Sequence, residues 1–240
     1  MRFYISDLSK ASGLTPAHIV MIMNNASETL GDEDFSKGRG IARSLSVLGL
    51  KRLALIGAIS KLGIGIIPSA RLAYLFANEQ PYGEVKGDLP SNCGSLVTRK
   101  VREDIYLWNE DFDYIGNLPA TEREFKFLEV LLASGLKYEK KTLHGDLLME
   151  IVDNSLIYMS TSNLAGINIL DPHLQAAYKI NNWDKGNYPN ITHAWSVTED
   201  ELNKWQNIRE NALTRSTVNV SLAIREAFFK VIPMKTAHRD

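Results

Sequence analysis

The chain has very little cysteine. Cys93 is the only cysteine among 240 residues. One cysteine cannot form a disulfide within the chain, and it cannot build a cysteine-based zinc site there either. We therefore expect a protein of a reducing compartment, the cytoplasm, with no structural metal ion.

Long apolar runs are also lacking. The most apolar stretch, residues 53–67, contains Lys61 and three glycines. It is shorter than the roughly 20 apolar residues that a membrane-spanning helix needs. Met1 to Tyr4 are followed after one residue by the polar Ser6 and Asp7, so we expect neither a signal peptide nor a membrane partner.

Charge is nearly balanced over the whole chain but unevenly distributed. The formal net charge is −1, yet residues 1–78 hold nine Lys or Arg against five Asp or Glu. A basic head on an acidic body is expected if only the head contacts nucleic acid. A small excess of cations is also common on domains that bind none, so charge alone leaves both interpretations open.

Local rules predict two short helices at the start of the chain. Ser6 is suited to cap a helix that begins at Asp7, and Gly13 to end it in a left-handed conformation. Thr15 is suited to cap the next helix, with Pro16 at its first position.

The second helix has two faces. Its predicted buried stripe, with helical spacing, is Ile19, Ile22 and Met23. Its predicted outward face consists of Ala17, His18, Met21, Asn24 and Asn25, and the early positions of that face are small or polar. A face of this kind suits the major groove of DNA.

A basic, glycine-containing loop follows. Its cations are Lys37, Arg39 and Arg43. Residues 42–45 are predicted to be the return strand of a small hairpin, a wing that contacts phosphates or the minor groove. Ser46 is predicted to cap a third helix that ends at Gly63, and a fourth helix is expected around residues 68–77.

Three segments carry a family resemblance: Ile5 to Thr15, Arg39 to Leu45, and the Leu-Gly-Ile at 62–64 that closes a leucine-rich helix. Together they resemble the MerR family of winged helix-turn-helix regulators. The resemblance implies operator binding as a homodimer and an effector, a small molecule or a protein, read through the C-terminal region. The DNA-contacting residues would be Thr15, Ala17 and His18 at base edges, with Lys10, Lys37, Arg39 and Arg43 on the backbone or in the minor groove.

Two features depart from that family, and one is that the long antiparallel dimerisation helix expected soon after the winged domain is not evident near residue 80. The other is that residues 20–23 are Val-Met-Ile-Met, where the family has Arg-Tyr-Tyr-Glu. Two alternatives therefore stay open. One is an excisionase-like architectural factor that bends DNA, and the other is a protein-interaction adaptor that no longer binds DNA.

The remaining chain predicts an α+β fold. We divide it into a winged helix-turn-helix domain at 1–78, a linker at 79–95 rich in turn formers, and a mixed α+β domain at 96–240 that ends in a helix. The predicted elements of the last domain are a helix capped at Thr121, a hairpin of 147–152 and 156–160, a helix from Asp171 through Tyr178, and a helix capped at Thr198.

The terminal helix has a broad apolar stripe that something must cover. Two interpretations stay open: the stripe folds back as core, or it forms a two-fold dimer contact. The dimer residues would be Val220, Ile224, Ala227 and Phe228.

The C-terminal half also offers one candidate pocket and two weak candidate sites. Trp183, Tyr188 and Trp195 lie in an asparagine-rich loop and predict either an effector pocket or packing anchors. His144 with Asp146, and Asp171 with His173, pair imidazole with carboxylate, but neither matches a known metal spacing. We expect no enzyme activity, no metal and no cofactor.

Overall fold

The computed structural model describes residues 1–30, 43–77, 120–133, 135, 137–143, 146–153, 156–161, 177–179 and 198–236. Across these ranges the chain combines helices with two small antiparallel sheets, which confirms the predicted α+β class. None of the helices in them has the length and apolar content to cross a bilayer.

The described residues of the first half of the chain are mainly helical. Its elements are β1 (Phe3–Tyr4), α1 (Ile5–Ser12), α2 (Pro16–Asn25), a 3-10 turn (Ser27–Thr29), β2 (Ser44–Leu45), α3 (Val47–Ser60) and α4 (Ile66–Phe76). Strand β2 pairs antiparallel with β1, so that Phe3 lies opposite Leu45. The predicted return strand therefore exists at 44–45, and the partner that the structure gives it is β1. The rest of the predicted wing, up to residue 42, lies outside the described residues.

The turn between α1 and α2 follows local chemistry closely. Gly13 ends α1 with φ 73°, a left-handed conformation that glycine adopts without strain. The Thr15 hydroxyl accepts a hydrogen bond from the His18 backbone N–H at 3.2 Å, and Pro16 is the first residue of α2. Both predicted ends are confirmed.

The predictions for the other helix ends in this half had mixed outcomes. The Ser6 cap is wrong, because α1 already begins at Ile5 and the Tyr4 N–H donates to the Asp7 carboxylate at 3.4 Å. The Ser46 hydroxyl caps α3 as predicted, accepting from Gly49 N–H at 3.2 Å. That helix ends at Ser60 rather than at Gly63. Helix α4 begins two residues before the predicted 68.

In the second half, the described residues form one sheet and three helices. They are α5 (Ala120–Ala133), β3 (Leu147–Val152), β4 (Leu156–Thr161), β5 (Ala177–Lys179), α6 (Glu199–Glu210), β6 (Arg215–Asn219) and α7 (Val220–Thr236). The sheet is antiparallel in the order β5-β4-β3-β6. The predicted hairpin is confirmed as β3 and β4, with Met149 opposite Met159.

Two predicted helix boundaries here are corrected. Thr121 lies inside α5, one residue after its start, so it is not the cap. The end of the helix predicted through Tyr178 is instead strand β5, while the start at Asp171 lies outside the described residues. Thr198 does cap α6, since its hydroxyl accepts from Glu201 N–H at 3.3 Å.

Helix α6 covers one face of the sheet. The Tyr158 hydroxyl donates to the Trp205 carbonyl at 2.7 Å, and Arg209 forms an ion pair with Glu150. Burial raises the pKa of Tyr158 from 10.0 to about 12, an effect that Arg209 partly opposes and Glu150 supports. The opposite face of the sheet, with Met149, belongs to the hydrophobic core.

One core joins both halves of the chain. The Phe125 ring of α5 lies edge-on to Phe3 of β1, with centroids 5.4 Å apart, and to Phe228 of α7, with centroids 5.1 Å apart. Lys51 of α3 and Glu124 of α5 form a buried ion pair at 3.0 Å. The segments on either side of the predicted linker thus pack on each other.

The terminal helix α7 folds back into this core. The side chains predicted for a dimer contact are at most 1 % exposed: Val220, Ile224, Ala227 and Phe228. The dimer assignment of this face is therefore replaced by the fold-back interpretation, because a buried side chain cannot contact a second chain. Helix α7 packs against α1 and α3.

Helices α1 and α3 cross in close contact. A Cβ placed on Gly57 of α3 would stand 2.1 Å from the carbonyl oxygen of Ser12 at the end of α1. Only glycine allows a backbone to approach so closely. This crossing holds the end of α1 against α3, immediately before the turn into α2.

Candidate nucleic-acid interface

Helix α2 has one buried side and one outward side. Ile19, Ile22 and Met23 are buried, and the helix packs mainly against α1, α4 and the 3-10 turn. Ala17 and Asn24 are exposed and Met21 is half-buried. These three are spaced by four and three residues, so they form one ridge along the outward side, which we call the α2 ridge.

The turn before α2 is held by two serines. The Ser9 hydroxyl donates to the Leu14 carbonyl at 2.7 Å. The Ser12 hydroxyl donates to the Leu8 carbonyl at 2.6 Å and accepts from Leu14 N–H at 3.2 Å. Sequence reasoning missed both, although serines on either side of a glycine turn often bond to the local backbone. The start of α2 is thereby fixed relative to α1.

Most of the predicted DNA-contacting residues that the structure describes are accessible. Thr15, Ala17, Lys10 and Arg43 are exposed, and His18 is half-buried. The Arg43 guanidinium donates to the Asn24 side-chain oxygen at 3.3 Å, which brings a cation of the predicted wing beside the α2 ridge. Lys37 and Arg39 lie outside the described residues.

Two further cations lie close to this region, and sequence reasoning did not find them. Arg2 is exposed and donates to the Ser44 carbonyl at 3.0 Å, next to Arg43 in the chain. Lys230 of α7 approaches the Ala11 carbonyl at 3.5 Å, at the end of α1. No local pattern could reveal Lys230, because it is separated from Ala11 by 219 positions.

The positive excess of the head is smaller at its surface than in its sequence. Lys51 is 1 % and Arg52 is 5 % exposed. Lys51 is paired with Glu124, and Arg52 stacks over the Tyr74 ring at 4.7 Å. These two cations stabilise the core and are not accessible to phosphates.

The weak catalytic candidates gain no support from the described residues. Asp146 is buried and binds Arg225, whose Nη2 lies 2.9 Å from Oδ2, and it also accepts from Leu143 N–H at 2.9 Å. Its role is to tie the loop before β3 to α7. Within the described ranges no group of three metal-binding side chains occurs. The other candidates lie outside these ranges: His144, Asp171, His173, and the pocket residues Trp183, Tyr188 and Trp195.

Comparison of the chain with protein-family models, with curated proteins and with solved structures found no match in any of the three. The MerR resemblance of the N-terminal third therefore stays a prediction from its motifs. Function has to be argued from the arrangement of α2 and the cations beside it.

Proposed function

We propose that the protein is a sequence-specific DNA-binding transcriptional regulator. Helices α1 and α2 with strands β1 and β2 form a MerR-like winged helix-turn-helix head. Helix α2 enters the major groove, with Thr15, Ala17 and His18 nearest the bases. Lys10, Lys37, Arg39 and Arg43 hold the DNA backbone or the minor groove.

The open α2 ridge carries this proposal. Helix α7 covers α1 and α3, and the main packing partners of α2 all lie on its buried side. The ridge residues Ala17 and Asn24 remain exposed, and Arg43 flanks them. A helix whose outer side is accessible beside a cation has the arrangement that major-groove docking requires.

The protein acts in the cytoplasm, without enzyme activity or cofactor, and as a homodimer on two half-sites. Two half-sites double the contacts of one small head. Since the apolar face of α7 is buried, the dimer contact has to use another surface. An effector, a small molecule or a protein, would act through the C-terminal half.

A protein-interaction adaptor is the second candidate, and one observation favours it. Helix α2 contains no lysine or arginine, and Val20 and Met21 on its outer side are apolar and half-buried. Such a surface also suits a partner protein. An adaptor would show no preference for any duplex, whereas a regulator would.

A salt series of DNA-binding titrations tests the proposal. Removing two phosphate contacts with Arg39→Ala and Arg43→Ala should weaken binding to all duplexes and reduce the slope of log K against log salt by about 2. Lys204→Ala is the matched control, because Lys204 is an exposed cation on α6 over the sheet. Its slope should equal that of the wild type. An unchanged slope in the double variant would refute the wing assignment, and no binding by the wild type would refute the regulator.

A further inference from the structure

The α2 ridge lacks the side chains that most often read guanine. Arginine or lysine paired with guanine O6 and N7 is the commonest base-specific contact in the major groove. Helix α2 carries neither along its whole length, Pro16–Asn25. If α2 lies in the groove, its own side chains lack the commonest guanine contact and have to recognise the bases in another way.

Two apolar side chains stand on the ridge one helical turn apart. Ala17 is exposed in the first turn, and Met21 is half-buried in the second. The methyl group at C5 of thymine is the apolar group that a base edge presents in the major groove. We infer that Ala17 and Met21 recognise thymine methyl groups, so that the preferred half-site has thymines at the positions under the ridge. This inference rests on the proposed function.

Asn24 completes the ridge without replacing that readout. Its side-chain oxygen accepts from Arg43 at 3.3 Å, so the groups that it offers to a base are the two N–H donors of its amide. Without the acceptor, these donors are satisfied by acceptors of adenine, guanine or thymine. Within the ridge, discrimination between bases therefore depends on the two apolar side chains.

Duplexes with deoxyuridine in place of thymidine isolate the methyl group, because uracil keeps every hydrogen-bonding atom of thymine. The probe is the duplex that the full-length protein enriches from a random pool, with one thymidine replaced at a time. Each contacted methyl should be worth about a fourfold loss of affinity, which is the effect of one buried methylene-sized group. Loss at one or two neighbouring thymines of the half-site is the expected result.

Variants of Met21 test whether its side chain causes the loss of affinity for uracil. Met21→Ala should bring the thymine-to-uracil affinity ratio at one position close to one, and Met21→Leu should keep the ratio because it keeps an apolar contact. Lys10→Gln is the control. Lys10 is an exposed cation assigned to a phosphate, so its removal should weaken binding to the thymine and uracil duplexes by the same factor. Thermal unfolding of each variant shows whether the fold is retained.

Failure of this inference differs from failure of the proposed function. An enriched duplex whose half-site has guanine under the ridge, or a ratio of one at every thymine, would overturn the thymine readout and leave a DNA-binding regulator. A ratio that Met21→Ala leaves unchanged would overturn the assignment to Met21. If no duplex is enriched, the proposed function itself is refuted.

Discussion

Gly57→Ala tests the packing that positions the head. An added Cβ would stand 2.1 Å from the Ser12 carbonyl oxygen, where ordinary contacts begin at 3.4 Å. The obstacle is a backbone atom, so it cannot rotate away, and α1 has to move by roughly 1 Å. Overpacking costs about 1–3 kcal/mol, and a backbone clash belongs at the upper end of that range.

The net effect is smaller, because alanine favours a helix over glycine by about 1 kcal/mol. We expect the free energy of unfolding to fall by about 2 kcal/mol, measured from urea titrations with an unchanged m-value. Gly65→Ala is the matched control, since its Cβ would meet only the Pro68 ring, with Cδ at 3.5 Å and Cγ at 3.9 Å. Because Gly65 precedes α4 as its cap, that change should cost under about 1 kcal/mol. A Gly57→Ala protein as stable as the wild type would show that the close crossing is absent.

Two further predictions concern buried polar groups. Lys51→Met alone should lower the free energy of unfolding by about 3–5 kcal/mol, because it leaves the Glu124 carboxylate buried without its cation, whereas combining it with Glu124→Leu should restore most of the loss. A single variant as stable as the double variant, measured in urea, would contradict the buried pair. Folding raises the pKa of Tyr158 from 10.0 to about 12. The contribution of its hydroxyl to the free energy of unfolding should therefore be complete below pH 10 and disappear as the pH rises to about 12. Urea titrations over that pH range should show a steeper decline for the wild type than for Tyr158→Phe, and equal declines would show that the hydroxyl is not buried.

Helix ends were predictable where one or two neighbouring residues decide them. To end α1, Gly13 needs only its left-handed φ. To cap their helices, Thr15 and Thr198 need only the backbone N–H three residues ahead as a hydrogen-bond donor. Ser6 failed because the same rule competes with Asp7, which accepts from Tyr4 N–H and lets the helix begin earlier. Local chemistry therefore determines that a helix begins in this segment. When two neighbouring residues can both cap the helix, the choice between them shifts its first residue.

Long-range packing was not predictable from local patterns. The apolar stripe of α7 showed that something covers it, but nothing nearby in sequence showed that Phe125 and the first helices do. Asp146 was paired in sequence with His144, while in the fold it binds Arg225, which is 79 positions away. A chain position gives no information about a partner so distant.

The candidate interface falls between these cases. Periodicity correctly predicted that Ala17 and Asn24 face outward, because the buried stripe of α2 fixes its opposite side. The contact between Arg43 and Asn24 depends instead on how the chain returns after residue 42. The outward face was thus predictable from one helix, and the cation beside it required the fold.

The central claim, that α2 enters a DNA duplex through its outer ridge, is tested most directly by Ala17→Glu. Ala17 is exposed, so a carboxylate there should leave the thermal unfolding midpoint unchanged. In the complex this carboxylate would face phosphates and base edges. It should weaken binding to the enriched duplex by about a hundredfold or more in a fluorescence-anisotropy titration, because like charges in contact cost several kcal/mol. Binding equal to that of the wild type, in a folded variant, would contradict the account.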